Sequence, residues 1–193
     1  MTIKELQCIM PIDNIPSVLK HGILSHERAS KLPHQSVAMT DVQERRDQVT
    51  IPGGLRLHQY ANMYFHARNP MMYKRKDEAK DLCVLRISTE ARHIPGAVLS
   101  DQNAASPWAR FLSIEQVLEI DLEAVYATDW RHPDSPLAYQ RHKRQKCAEF
   151  LVPHQLPLKY IEGAYVVNGD AQQKLVDQAF NLPITVDSDL FFH

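Results

Sequence analysis

Apolar residues along the chain come in short runs, and the spacing within each run decides the element it predicts. Residues 6–10, LQCIM, read as a short apolar strand. Pro11-Ile12 leads into Asp13, expected as the cap of a helix whose Ile15, Val18 and Leu19 share one face. Pro16 is tolerable in the first turn and Gly22 supplies a stop. Ile23-Leu24-Ser25 begins a new extended segment, and residues 26–40 lack periodicity and read as loop. Residues 41–47, DVQERRD, predict a short helix with Asp41 and Glu44 as a capping pair. Arg45 and Arg46 are adjacent on that helix and so point in different directions, one free to face a cleft while the other is solvated. Pro52-Gly53-Gly54 is a turn.

The second half of the pattern is similar. Residues 60–66 predict a strand, broken by Arg68-Asn69-Pro70, after which Met71, Met72 and Tyr73 begin a helical turn. Residues 74–80 are charged and solvated, and residues 82–87 have the composition of a central strand. Ser88 or Thr89 caps a short helix, and Ala97-Val98-Leu99 is a short strand. Residues 101–111 are irregular. Residues 113–127 mix helix and strand signals and are read as two short helices with a break. Residues 130–137 are loop with two prolines, and residues 160–168 are a strand with a bulge expected at Gly163. Asp170 with Gln173 opens the last helix, striped by Leu175, Val176, Ala179 and Phe180, and residues 183–186 return as a strand. Many short strands with few short helices argue an α+β fold, and a dinucleotide-binding GxGxxG is absent from the sequence.

Composition narrows the function classes. At 193 residues the chain fits one domain, residues 1–193, with a core large enough to need no staples. A net charge of -1 provides no global attraction to nucleic acid or membrane, so any such attraction must be local. Cys8, Cys83 and Cys147 lie far apart in apolar settings, as buried thiols of a reducing cytoplasm would. Neither a secretory leader nor a run of membrane-spanning length is read in the sequence. Ten histidines fall in no tight ligand pair, so no metal site is expected.

Candidate chemistry concentrates in residues 141–152, RHKRQKCAEFLV. The basic run Arg141, Lys143, Arg144 and Lys146 leads into a strand from Cys147, and Glu149 sits inside that strand. A carboxylate among apolar neighbours is costly unless it is paired, hydrogen-bonded or needed. Residue types alone allow two readings: a Glu on the solvated face of a half-exposed strand, or a Glu lining a cleft with cations at its mouth.

The segments IDNIPSVLKHGILS, VQERRD, PGG followed by L, H and Y, MYFHARNPMMY and RQKCAEFLV occur in this order. In order and spacing they resemble the DarT family of bacterial DNA ADP-ribosyltransferase toxins, from about residue 6 to the last strand. The resemblance implies an ADP-ribosyltransferase-like fold, with two packed antiparallel sheets, short flanking helices and NAD in the crevice between the sheets. It implies Glu149 as the catalytic glutamate and Arg46 as the essential arginine, clamping the cofactor. Around NAD it implies Cys8, Met10, Asn14, Gly22, Leu24, Tyr64 and Phe65. Arg141, Lys143 and Arg144 correspond to the loop that presents a single-stranded DNA target, with Met71 and Tyr73 beside an unpaired base. A toxin of this kind implies a macrodomain (DarG-like) antitoxin as partner and a thymine base as acceptor. One departure stands out. The family carries HIT or a similar sequence on the first strand, its His contacting NAD, and Cys8 holds that position here. A thiol is a weak donor. His66 is a candidate substitute imidazole, against a purely structural role. Two other readings stay open: a non-enzymatic nucleic-acid or partner-binding module on the same fold, and the same chemistry with RNA or protein as acceptor.

Overall fold

Short apolar runs punctuated by Pro, Gly and Asn fold into short elements. The computed structural model describes residues 2–36 and 39–192. In chain order these form β1 (Leu6–Pro11), α1 (Ile15–His21), β2 (Ile23–Leu24), α2 (His26–Ala29), α3 (Thr40–Asp47), β3 (Tyr60–Tyr64), α4 (Pro70–Lys74) and β4 (Leu82–Ile87). There follow β5 (Val98–Ser100), β6 (Phe111–Leu112), α5 (Leu122–Tyr126), α6 (Pro136–Gln145), β7 (Glu149–Pro153), β8 (Gln155–Leu156), β9 (Ile161–Val166), α7 (Gly169–Asp177) and β10 (Ile184–Val186).

The sheet order is β10-β9-β4-β1-β3-β7-β5-β6, and β2 with β8 makes a separate two-stranded ribbon. The large sheet comes apart in its middle. β1 pairs with β4 along six registered positions but with β3 at one, Gln7 opposite Tyr64. Two four-stranded halves therefore diverge from that single rung. The Gln7 side chain extends the junction, its carbonyl accepting from the Ala67 N–H at 2.7 Å and its amide donating to Glu5 at 2.8 Å. The packed sheets expected from the sequence are these halves. Pairing is antiparallel except between β9 and β10, where α7 supplies the crossover that a parallel pair requires.

The main apolar core lies between the half-sheets and the helices, built from side chains such as Leu6, Met63, Phe65, Leu85, Phe150 and Leu175. A second cluster joins Ile9, Met72, Val84 and Phe191, and a third holds Ile51, Leu57, Tyr60 and Leu151. Cys8, Cys83 and Cys147 are free and buried.

Several sequence-level expectations need correction. Asp13 caps nothing; a 3-10 turn over Ile12–Asn14 precedes α1, and Asp13 accepts from the Gln35 side chain instead. Asp41 and Glu44 form no capping box, because α3 begins one residue earlier, after Met39, and Asp41 pairs with Arg45. Asn168, not Asp170, caps α7. Val176 and Ala179 lie outside the buried stripe, which Ala171, Leu175 and Phe180 carry. Register slips between Arg86 and Ile87, opposite residues 163 and 161, so the extra residue is Glu162. Gly163 itself serves a close approach, since a Cβ there would meet the Pro183 carbonyl oxygen at 2.5 Å. The basic run is not a loop. Ser135 caps α6 and Pro136 opens it, so Arg141, Lys143 and Arg144 are helical. Lys146, expected among cations at a cleft mouth, is fully buried.

Candidate active site

Where the half-sheets diverge, a cleft of about 1090 Å³ opens. Its walls include Cys8 and Met10 of β1, Tyr60, Asn62 and Tyr64 of β3, and the Gly22–Leu24 corner after α1. The spacing on β3 is the strand's period of two, which presents even positions to the cleft and odd ones to the core. For that reason Phe65 does not face the cofactor crevice: it is 2% exposed and packs in the main core. Asn14 lines the cleft, but its side chain exchanges two hydrogen bonds with the Gln35 backbone, at 2.7 and 2.9 Å, and straps residues 31–36 alongside. Gly22 has φ of +69°, and a Cβ there would fall 2.2 Å from the Leu156 carbonyl oxygen. This corner needs glycine to let β2 pair with β8.

Glu149 opens β7, directly after the turn that ends α6, with Tyr64 on one neighbouring strand and Ser100 on the other. It is 1% exposed and lines the cleft. Nη1 of Arg46 donates to both its oxygens, at 3.1 and 2.9 Å, and the Ala104 N–H donates to Oε1 at 2.9 Å. The buried carboxylate is thus paired and oriented by a cation and a backbone N–H. Arg46 comes from the last turn of α3, a helix with no apolar stripe, and is itself buried, while Arg45 stays in solvent with Asp41. Arg46 therefore lines the cleft while engaging the carboxylate.

Nearby groups feel this centre. Burial, and then the Glu149 charge, push the Tyr64 hydroxyl well above its usual range. Burial pushes the Cys8 thiol up to about 12, so it is a neutral SH on the β1 wall. Cys147 is likewise raised to about 12, by burial first and Glu149 second. His26, on the cleft wall, and His58 approach each other at 4.4 Å. Both are lowered, by burial first; for His26 the neighbouring His58 comes next, for His58 the Arg46 charge. His66 does not supply an imidazole to the cleft. Its ring packs on Tyr126 at 5.3 Å, and burial lowers it to about 4.

On the outer rim, Met71, Tyr73, Lys143 and Arg144 line the cleft. Arg144 also donates to Gln102 at 3.1 Å and accepts through its carbonyl from Asn103, which ties α6 to the loop carrying Ala104. Arg141 is exposed and does not line the cleft, unlike its two basic neighbours. Lys146 donates to the Val125 and Ala127 carbonyls, both at 2.7 Å, and anchors the segment after α5. The sequence reading missed Ala104, Gln7 and the walls contributed by Arg68, Trp130 and Phe192. Backbone donors carry no sequence signal, but aromatic residues inside polar loops were a usable one. Among the described residues no group of three His, Cys, Asp or Glu side chains is placed to hold a metal.

A cleft between diverging half-sheets, with a buried glutamate held by an arginine on its inner edge, defines an ADP-ribosyltransferase. Residues 8–192 match the family model described as "ssDNA thymidine ADP-ribosyltransferase, DarT", and the chain belongs to the DarT family. A DNA ADP-ribosyl transferase of Thermus sp. (strain 2.9) is 33% identical over 167 residues, covering 80% of this chain and 77% of the relative. A DNA ADP-ribosyl transferase–glycohydrolase fusion protein of Thermosipho africanus is 29% identical over 98% of this chain, which spans half the length of that relative. The solved structure of Thermus sp. 2.9 DarT in complex with ADP-ribosylated ssDNA superposes with a TM-score of 0.85 at 26% identity, over 98% of this chain and 97% of the other. That of the same protein with NAD+ has a TM-score of 0.82 at 24% identity, with 100% of this chain and 99% of the other covered, and speaks to the fold.

Proposed function

We propose that this chain transfers ADP-ribose from NAD to a thymine base of single-stranded DNA, as the toxin of a toxin–antitoxin pair whose partner carries an ADP-ribose-removing macrodomain. The observation that carries the reading is the Glu149–Arg46 pair, buried and hydrogen-bonded on the inner edge of a cleft large enough for a dinucleotide. The relatives named for NAD+ and ADP-ribosylated ssDNA complexes supply its ligands.

Breaking the bond between nicotinamide and ribose leaves positive charge on the sugar, as in glycoside cleavage. A fixed carboxylate beside the ribose stabilises that charge without reorganising at the moment of reaction. Glu149 takes this role. Arg46 and the Ala104 N–H orient its oxygens. The acceptor base forms the new bond to the anomeric carbon as nicotinamide leaves with the bonding pair, and the base gives up a proton, for which Glu149 is a candidate acceptor. Tyr64 keeps its phenolic proton and offers a hydroxyl donor on the β3 wall. Cys8 and Met10 offer an apolar wall where the family pattern has a His, so NAD relies more on burial and shape there. Gly22 and Leu24 form the adenosine end. Lys143 and Arg144 meet the phosphates of the acceptor strand, and Met71 and Tyr73 meet its base.

Incubation with labelled NAD and a mixed-sequence single-stranded oligonucleotide, beside Glu149→Ala, tests the reading. Label is expected on DNA with wild type and not with the variant. A thermal-shift titration with NAD should raise the midpoint, as any ligand bound only by the folded state must. Oligonucleotide binding without any transfer would instead favour the non-enzymatic module.

A further inference from the structure

Two histidines near the cleft rim take no part in the steps above. His132 follows the cleft-lining residues 128–131, and His142 lies on α6. Neither ring lines the cleft itself. His132 Nε2 and His142 Nδ1 face each other at 3.0 Å, with ring centroids 5.2 Å apart and planes inclined at 52°. The other nitrogen of His142, Nε2, lies 3.0 Å from the Ala124 carbonyl oxygen. A carbonyl only accepts, so Nε2 carries the proton, and the neutral ring turns the lone pair of Nδ1 toward His132. The turn that bears His132 is tied down on both sides. The His132 carbonyl accepts from the Ser135 N–H at 3.1 Å, just where Ser135 caps α6. Immediately before it, the Arg131 side chain and N–H donate to the Asp129 carboxylate at 2.6 to 2.9 Å.

We propose that His132 Nε2 and His142 Nδ1 form a site for a late first-row divalent ion such as zinc, with water completing its shell. Two imidazole nitrogens bound side by side to one ion, each about 2.0–2.1 Å from it, stand about 2.9–3.4 Å apart. The observed separation of 3.0 Å falls in that range. The Ala124 carbonyl behind His142 is the outer partner that orients a ligating imidazole. A proton fills the gap between the rings in the absence of the ion. The ion takes its place when His132, whose ring is exposed, moves that proton to its Nδ1. Both rings then bind as neutral imidazoles and the proton count is unchanged. The ligands lie ten residues apart in the chain, which is why ligand spacing in the sequence does not reveal them. Among the described residues no third His, Cys, Asp or Glu completes a three-ligand centre, so the ion is held less tightly than at a structural zinc site. It acts as a clamp that fastens the segment after α5 to α6 and braces the rim bearing Lys143 and Arg144.

Calorimetric titration of zinc chloride into the full chain tests the site, with wild type, His132→Ala and His142→Ala side by side and magnesium chloride as the control. Wild type should take up a zinc equivalent that magnesium, which prefers oxygen ligands, does not match. Each variant should bind that equivalent at least about tenfold more weakly. His132→Ala removes an exposed ring and decides the matter even where circular dichroism shows His142→Ala to be unfolded. Hydrogen exchange separates a clamp from loose surface binding. Zinc should slow exchange across residues 128–132 in wild type and leave it unchanged in His132→Ala. Identical zinc isotherms for wild type and His132→Ala, no zinc uptake by wild type, or wild-type exchange that zinc does not slow each overturn the proposal.

Discussion

Glu149 and Arg46 are two charges that each make sense only with the other. Both are nearly out of water. Removing one half of such a pair strands a buried charge, at a cost of about 3–5 kcal/mol. Glu149→Ala should therefore lose activity and stability together, with its urea midpoint well below wild type. Glu149→Ala combined with Arg46→Met should recover much of that loss while remaining inactive, since the stranded cation is gone. Simple additivity of the two penalties would show that the pair is not energetically coupled. His66 makes the opposite case, a titratable group with no chemistry. Its Nδ1 is buried without a hydrogen-bond partner, and burial holds it neutral, lowered to about 4. The unfolded chain binds a proton near pH 6.5 and the folded one does not until about pH 4, so the unfolded state takes up more protons between them. Stability is fully present above pH 6.5 and drains away as pH falls through 4. His66→Phe keeps the packing on Tyr126 and removes the proton, so its melting temperature should fall less steeply than that of wild type over that window.

At the level of elements, periodicity revealed most of what is apolar and little of what is polar. The strands that became β1, β4 and β7 were legible because they are buried on both faces and read as predominantly apolar runs, each with one polar residue. Arg45 and Arg46 were correctly expected to diverge, because helix geometry leaves no choice. Caps fared worse. Asp13 lies one residue before the cap position that Asn14 fills, and Asp41 and Asp170 lie two residues past those of Met39 and Asn168; shifts of one or two residues are invisible to composition. The helix over Arg141, Lys143 and Arg144 was missed because its apolar stripe is thin and buries no residue fully. What no pattern could show is the single rung between β1 and β3, which creates the cleft. Gly22 was legible as a stop but not as a clearance. Gly22→Ala forces a side chain into left-handed backbone, about 1–2 kcal/mol, and also against the Leu156 carbonyl. We expect it to unpair β2 from β8, lower the denaturation midpoint by more than the backbone term alone, and weaken NAD binding measured by calorimetry. An unchanged midpoint would mean the corner can open without consequence.

For the whole molecule, electrostatics must be local, because 22 basic residues nearly cancel 23 acidic ones. An acceptor strand is then drawn by the few cations that reach the cleft and not by a global field. The structure separates three arginines and lysines that look equivalent in sequence. Lys143 lines the cleft and leans over the Tyr139 ring at 5.7 Å, Arg144 lines it while bonded to Gln102, and Arg141 is exposed and does not line it. Each phosphate contact to a single strand contributes about 0.7 to the slope of log affinity against log salt. Lys143→Ala should lower the magnitude of that slope by about this amount. Arg144→Ala should weaken binding at every salt concentration, because it also releases the loop that presents the Ala104 N–H to Glu149, and it should depress the turnover number as well. Arg141→Ala should leave slope and turnover unchanged. Fluorescence anisotropy of a labelled oligonucleotide between low and physiological salt reads all three. A slope that responds to Arg141→Ala and not to Lys143→Ala would place the strand outside the cleft, away from Glu149, and the path from bound strand to modified base would have to be redrawn.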